Sequence, residues 1–439
     1  MTVPKIRERD RQAILKALRA GVVPRVGLQH IQVGRKAEVQ AVLHDLDHAA
    51  DGGAGVRFVI GRFGAGKSFF LNLANVVALE KGFLVARADI TTDRRLHGSA
   101  GVARALYAEL MRNLASKARP EGNALSTVIE KWVSEVVQES GASDAEAIEA
   151  ALATRLKPLQ ELVNGFDIVK VFAAYFRGYQ TGDASLQESA IRWLRAEYAT
   201  KTEAREDLGV RAIIDDADIY DYLKLVAKLS RIMGYKGLLV CFDEMVVLSH
   251  RLASSRARAS NYEAILRILN DCLQGSVEGL HVIFGGTDEF LEDRRRGLYS
   301  YEALATRLAP NEFARDGVID LAGPVIRLRS LTQEDLYVLL VRIRDVFAAG
   351  DPTKHLLPDE GLMAFVDYSR KTLGDDYFRT PRDTVVRFVG LLNLLEQDAS
   401  RDWRVALGNV ATVPVAPTVS AEADPNPAPP DDDLVTFKL

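Results

Sequence analysis

The chain has 439 residues, of which 48% are hydrophobic and 26% charged, and a formal net charge of −4. That length accommodates two or three packed units, the composition is that of a soluble globular protein, and the charge excludes a global basic field, so any contact with nucleic acid must come from a local patch. Two cysteines, Cys241 and Cys272, exclude a disulfide framework and a zinc site; no apolar run approaches the ~20 residues of a membrane span, and with a charged stretch from Met1 to Asp10 where a signal segment would lie, a cytoplasmic protein with no membrane contact is expected.

Residues 1–32 open on a helical stretch with Ile14, Leu15 and Leu18, closed by Gly21 and Pro24. Val33-Gly34-Arg35-Lys36-Ala37-Glu38-Val39 then reads as a turn leading into an amphipathic helix whose apolar face carries Val39, Val42, Leu43 and Leu46. Val56 to Ile60 is a β-branched and aromatic run, the pattern of a buried strand. From Ser68 to Glu80 the apolar residues Phe69, Leu73, Val76 and Val77 recur at helical spacing.

Between that strand and that helix stands Gly61-Arg62-Phe63-Gly64-Ala65-Gly66-Lys67-Ser68, which matches the pattern G-x-x-x-x-G-K-[ST] at every position. The glycines let the backbone curl so that its N–H groups converge on phosphate oxygens. The helix that follows, from Phe69 onward, turns its positive N-terminal end to the same anion. Lys67 reaches the β- and γ-phosphates as a point charge, and Ser68 offers a hydroxyl to Mg²⁺. A chain with this loop in this context binds a nucleoside triphosphate.

Phe83 to Ile90 reads as a second strand, ended by Thr91-Thr92-Asp93. Residues 100–235 are helical by pattern. One face carries Val128, Ile129, Trp132, Val133, Val136 and Val137, and a capping box from Ser143 to Glu146 opens a helix with Ile148, Leu152 and Leu156, which Pro158 ends or kinks. Further faces carry Ile168, Val171, Phe172, Tyr175, Phe176 and Tyr179, then Leu186, Ile191, Leu194 and Tyr198, then Ile219, Tyr222, Leu223, Val226, Leu229 and Ile232. Such aromatic stripes are read as core. A nucleotide-binding core needs a helix or two here, so the remainder is a helical insertion.

Gly237 to Glu244 is apolar on both faces and ends in two carboxylates, the pattern of a central parallel strand delivering Asp243 and Glu244 to the ligand-binding edge of the sheet. Asp243 is expected to hold Mg²⁺ together with Ser68, and Glu244 to orient and deprotonate an attacking water. Leu280 to Thr287 is the next strand, with Thr287 at its end, followed by Arg294-Arg295-Arg296 and Arg307. Val325 to Leu328 reads as a last strand, Thr332 caps a helix, another helix spans about 358–371, and Arg379-Thr380-Pro381-Arg382-Asp383 opens a final one. From 409 the chain is rich in proline and alanine and then acidic, which reads as a disordered tail that either docks a partner or solubilises the chain.

The Val-Gly-Arg-x-x-Glu segment ahead of the glycine loop resembles the linker of AAA+-type ATPases of the origin-recognition and signalling-ATPase branches, which implies Val33 against the adenine. The same resemblance implies that Thr287 helps orient the attacking water, that an arginine crosses to a neighbour's γ-phosphate, with Arg307 one candidate and Arg294 to Arg296 the other, and that Arg382, or second Arg379, meets the γ-phosphate from a helical lid. Gly234 to Glu244, Ala257-Arg258-Ala259-Ser260-Asn261-Tyr262, Asn270-Asp271, Gly286 to Phe290, Arg296 to Tyr301 and Arg379 to Arg382 together resemble the BREX-type ATP-binding proteins, the BrxD-like P-loop ATPases of bacterial anti-phage loci, over residues 10–400. That resemblance implies an α/β, AAA+-like P-loop fold and Mg-ATP as ligand. It also implies a place beside a helicase or another defence protein.

The resulting division is an N-terminal helical segment (1–32), an ATPase core (33–99 and 234–324), a helical insertion (100–233), a helical lid (325–408) and a tail (409–439). The leading expectation is a Mg-dependent ATPase, working as a homo-oligomer, that assembles, loads or remodels a DNA-acting partner. Two other readings stay open: a nucleotide-dependent switch with little hydrolysis, and an initiator-like protein that contacts DNA through Arg251, Arg256, Arg258, Arg267 and Arg294 to Arg296.

Overall fold

Five parallel strands make one sheet in the order β2-β3-β4-β1-β5, with β1 at Ala54–Ile60, β2 at Leu84–Asp89, β3 at Leu238–Asp243, β4 at Leu280–Gly286 and β5 at Val325–Arg327. The computed structural model describes residues 6–141, 144–162, 165–314, 320–373, 381–398 and 402–410. The central strands β3 and β4 are buried on both faces along nearly their whole length, as their unbroken apolar runs require. Phe58, Phe284 and Phe242 lie side by side in register across β1, β4 and β3, with ring centroids 5.1 and 5.4 Å apart.

Helices cover both faces. Ahead of β1 run α1 (Glu8–Arg19), the single turn α2 (Leu28–Ile31) and α3 (Lys36–Ala50); α4 (Lys67–Glu80) follows it. Val42 and Leu46 of α3 and Leu71, Ala74 and Ala78 of α4 close one face over Val59, Leu239, Cys241 and Ile283. On the opposite side lie α5 (Val102–Arg112), α11 (Ile219–Ile232) and, after β3, α12 (Ser255–Leu273) against the sheet, joined in one core by α6 (Leu125–Ser140), α7 (Ala145–Leu156), α8 (Gly165–Thr181), α9 (Ala184–Leu194) and α10 (Lys201–Leu208). Leu106, Trp132, Phe172 and Tyr222 from these helices and Phe58, Ala86 and Phe242 from the sheet belong to one continuous apolar core. Of the helices in 100–233, α5 and α11 lie against the sheet, and α8, α9 and α10 pack on neighbouring helices of the same core.

Two details differ from the sequence reading. Asp144 is the N-cap of α7, its carboxylate accepting from the Ala147 N–H, while Ser143 lies outside the described residues. Tyr179 is exposed on α8, whereas Trp193 of α9 is buried and donates its Nε1–H to the Ala212 carbonyl at 2.8 Å. Pro158 acts as expected: α7 ends at Leu156 and a 3₁₀ turn follows.

After β4 come α13 (Asp288–Glu292) and α14 (Glu302–Arg307), and after β5 come α15 (Gln333–Phe347), α16 (Asp359–Leu373), α17 (Pro381–Gln397) and α18 (Trp403–Val410). Thr332 caps α15 through a reciprocal box with Asp335. The N-terminal segment is not a separate piece: Ile14 of α1 and Ile31 of α2 share a core with Leu340, Ile343, Phe388 and Leu392 of α15 and α17. The tail from 411 onward lies outside the described residues. Among the described residues no helix is long and apolar enough to cross a membrane.

Candidate nucleotide-binding site

The glycine loop joins β1 to α4 at the C-terminal edge of the sheet, where ligands of open parallel sheets bind. Gly64 and Gly66 take φ of 80° and 88°, which only glycine adopts without strain, and Gly66 is the N-cap of α4. A Cβ placed on Gly66 would meet nothing within 4 Å, so the backbone is open to a ligand on that side. Lys67 arches over the loop and donates from Nζ to the carbonyls of Gly61 at 3.0 Å and Arg62 at 3.1 Å. Burial draws its ammonium pKa below the ordinary lysine value, and Asp243 and Glu244 pull the other way.

The end of β3 meets the start of α4. Ser68 Oγ donates to Asp243 Oδ2 at 2.7 Å, so residues far apart in the chain form one pair of hard oxygens. The Glu244 N–H donates to Asp243 Oδ1 at 2.9 Å, and Glu244 itself sits at φ 58°. A non-glycine residue in that region is uncommon and strained, and such residues cluster at functional sites. Its side chain is exposed and takes no part in the Ser68–Asp243 hydrogen bond. Burial, then Asp243, then Asp89 raise its pKa above the usual carboxylate value.

A family model described as BREX system ATP-binding protein BrxC/D matches residues 6–411. The chain belongs to that family. A search of the curated proteins finds no match. Family membership makes this an ATP-binding protein of a defence system.

The BrxC/D site contains two residues that sequence reasoning did not assign. Asp89 ends β2 in register with Asp243, and burial followed by the charge of Asp243 raises its carboxyl pKa. It completes a row of three carboxylates with Asp243 and Glu244 along the sheet edge. Arg35, also at positive φ, donates to the Ala65 carbonyl at 3.2 Å and to the Arg329 carbonyl, and pairs with Glu38 at 3.4 Å. It ties the segment ahead of α3 to the glycine loop and to the chain leaving β5. The signal for it was present in the Val-Gly-Arg-x-x-Glu segment, which sequence reading used only for Val33.

The remaining candidates divide. Val33, Phe69, Thr287 and Arg382 line the same cleft as the loop. Arg62 and Phe63 also line it, with exposed side chains. Thr287 caps α13, its hydroxyl accepting from the Phe290 N–H at 3.3 Å. Arg382, in the first turn of α17, packs under the N-terminal loop, where a Cβ on Gly21 would lie 2.8 Å from its Nε. Arg379 lies outside the described residues. Arg307 is exposed at the end of α14, outside the residues lining the cleft, and donates to the Ala303 carbonyl. Arg294 to Arg296 are exposed as well, with Asp293 accepting from the N–H groups of Arg295 and Arg296. Of the arginines considered for DNA, Arg258 donates to the Leu252 and Ala253 carbonyls and Arg267 pairs with Asp221 at 2.9 Å.

Proposed function

We propose that this BrxC/D chain is a Mg²⁺-dependent, AAA+-like ATPase. ATP binding and hydrolysis would drive assembly, loading or remodelling of a DNA-acting partner such as a helicase. The observation that carries the reading is the 2.7 Å contact between Ser68 and Asp243, with the strained Glu244 beside it. A hydroxyl and a carboxylate suit Mg²⁺, which takes one or two protein oxygens and draws its other ligands from phosphate and water.

When bound, Mg-ATP supplies the phosphoanhydride to be broken and the cation that neutralises its charge. The chain's own residues do the rest. The curled loop from Gly61 to Ser68 offers backbone N–H groups and the positive end of α4 to the phosphates. Lys67 adds a point charge, held close by its bonds to the loop carbonyls. Ser68 and Asp243 hold the cation. Glu244 accepts the proton of the attacking water, and its raised pKa makes it a stronger base than a free carboxylate. Thr287 orients that water from the end of β4, Val33 borders the base, and Arg382 senses the γ-phosphate from the lid. Arg307, exposed and outside its own cleft, would reach the site of a neighbouring copy in a homo-oligomer.

The test is the dependence of ATP affinity on Mg²⁺, measured by calorimetry with and without a chelator. In the wild-type chain chelation should weaken ATP binding by about tenfold or more. In Asp243→Asn and Ser68→Ala that difference should shrink. Wild-type affinity that ignores Mg²⁺, or an undiminished Mg²⁺ effect in both variants, contradicts the assignment.

A further inference from the structure

The cleft around the glycine loop has a volume of about 2310 Å³, whereas pockets for a single small ligand hold roughly 300–1,000 Å³. Besides the glycine loop, the cleft is lined by Asn75 of α4, Arg25 of the N-terminal segment, Arg87 and Asp89 of β2, Glu109 of α5 and Asn113 beyond α5. This part is built. Asn113 Nδ2 donates to the Arg87 carbonyl at 3.2 Å, and Arg9 of α1 pairs with Glu121 at 3.6 Å, so the N-terminal segment is tied to the loop that supports Arg87.

Arg25 and Arg87 are both positive in this recess, and among the described residues neither makes an ion pair. Arg94, on the same wall, is satisfied by Glu109 at 3.2 Å. Arg87 has one long contact, to the Glu121 carbonyl at 3.5 Å. Burial and then the charge of Arg25 pull its pKa below the ordinary arginine value, and the opposing pull of Asp89 is weaker. Two guanidinium groups in one recess repel each other, and Asp89, which lines the same cleft, offsets that only in part; an anion bound between them offsets the rest. Guanidinium forks match phosphate oxygens in pairs, and a partly buried fork binds them more strongly than an exposed one.

We propose that Arg25 and Arg87 form a second phosphate-binding site in the same cleft, separate from the glycine loop, that receives a phosphate group of a second nucleotide or of a nucleic-acid strand. It does not depend on hydrolysis at the first site. A phosphodiester bound there would lie beside β2 and α4, within reach of changes that nucleotide makes at the loop.

The experiment uses the full chain with its glycine loop saturated with ADP. Inorganic pyrophosphate is titrated by calorimetry, and a labelled oligothymidylate by anisotropy. The wild type should bind at least one of the two probes, and Arg25→Gln should weaken that binding by about tenfold or more with ADP affinity unchanged. Arg25 is exposed, so its replacement leaves folding intact; Arg87→Gln, checked for folding by thermal melting, should act in the same direction, and Arg25→Lys should retain part of the binding. An oligothymidylate that responds to these variants identifies a nucleic-acid strand as the ligand, and a response confined to pyrophosphate identifies a second small phosphate ligand. Binding of neither probe, binding indifferent to Arg25→Gln, or loss of ADP together with the probe overturns the proposal. Lys67→Ala separates the two sites, because it should lose ADP and keep the probe.

Discussion

Arg35 shows how much of this site hangs on one side chain. Its guanidinium bonds the Ala65 carbonyl and the Arg329 carbonyl at once, so the curvature of the glycine loop is braced from outside the loop. A hydrogen bond from a charged group contributes about 1.5–3 kcal/mol. Arg35→Ala should therefore weaken ATP binding by about tenfold or more, with Arg35→Lys intermediate, and should also lower the thermal transition because Glu38 loses its partner; calorimetric affinity unchanged in a folded Arg35→Ala would refute the bracing role. Residues such as Lys67 and Ser68 were legible in the sequence because their chemistry is contiguous: loop, cation and hydroxyl follow one another. Asp243 and Glu244 were legible because an apolar strand delivers them. Asp89 was not, since its place beside Asp243 comes from the pairing of β2 with β3, and nothing in its own neighbourhood records that register. Thr287 caps α13 by accepting from the Phe290 N–H, bonds the Glu289 side chain and lines the cleft, and its cap was not read from the sequence.

Strands and helices were legible in proportion to how one-sided their burial is. The apolar runs of β1, β3 and β4 and the faces of α6, α8 and α11 were read directly, whereas Tyr179 followed the helical period yet faces solvent, because a helix at the rim has less to pack against. Pairing between elements also hides a polar cluster. His281 of β4 is fully buried beside Asp45 of α3 at 3.8 Å and Arg57 of β1, and Arg57 bonds Asp45 at 2.8 Å. Neither ring nitrogen of His281 has a hydrogen-bond partner among the described residues. Burial lowers its pKa from 6.5 to about 4, against the pull of Asp45. Between those values the unfolded chain takes up a proton that the folded chain refuses. This part of the stability is therefore full above 6.5 and is lost as pH falls toward 4. Denaturant unfolding at a series of pH values should show the wild type losing on the order of 2–3 kcal/mol more than His281→Gln across that window. Parallel pH curves for the two proteins would contradict it.

The whole molecule is held by shared cores that the sequence divides differently. The helices between β2 and β3 read as an insertion, and their apolar faces join one core with Phe58 and Phe242, with α5 and α11 against the sheet. Residues 1–32 read as an N-terminal helical segment of their own, and the segment joins α15 and α17 while its loop rests on Arg382. Contacts between segments hundreds of residues apart leave no periodicity to read, so these assignments had to come from the fold. The arrangement brings Ser68, Asp243, Glu244 and Arg382 to one cleft and leaves Arg307 outside it. The measurement that bears most directly on this is steady-state phosphate release with Mg-ATP by the wild type and by Glu244→Gln, over a range of protein concentrations, with ATP binding measured alongside. Expected is turnover in the wild type that rises per chain with concentration, and its loss in Glu244→Gln with ATP still bound. Turnover in Glu244→Gln equal to that of the wild type would contradict a hydrolytic site built on Ser68, Asp243 and Glu244.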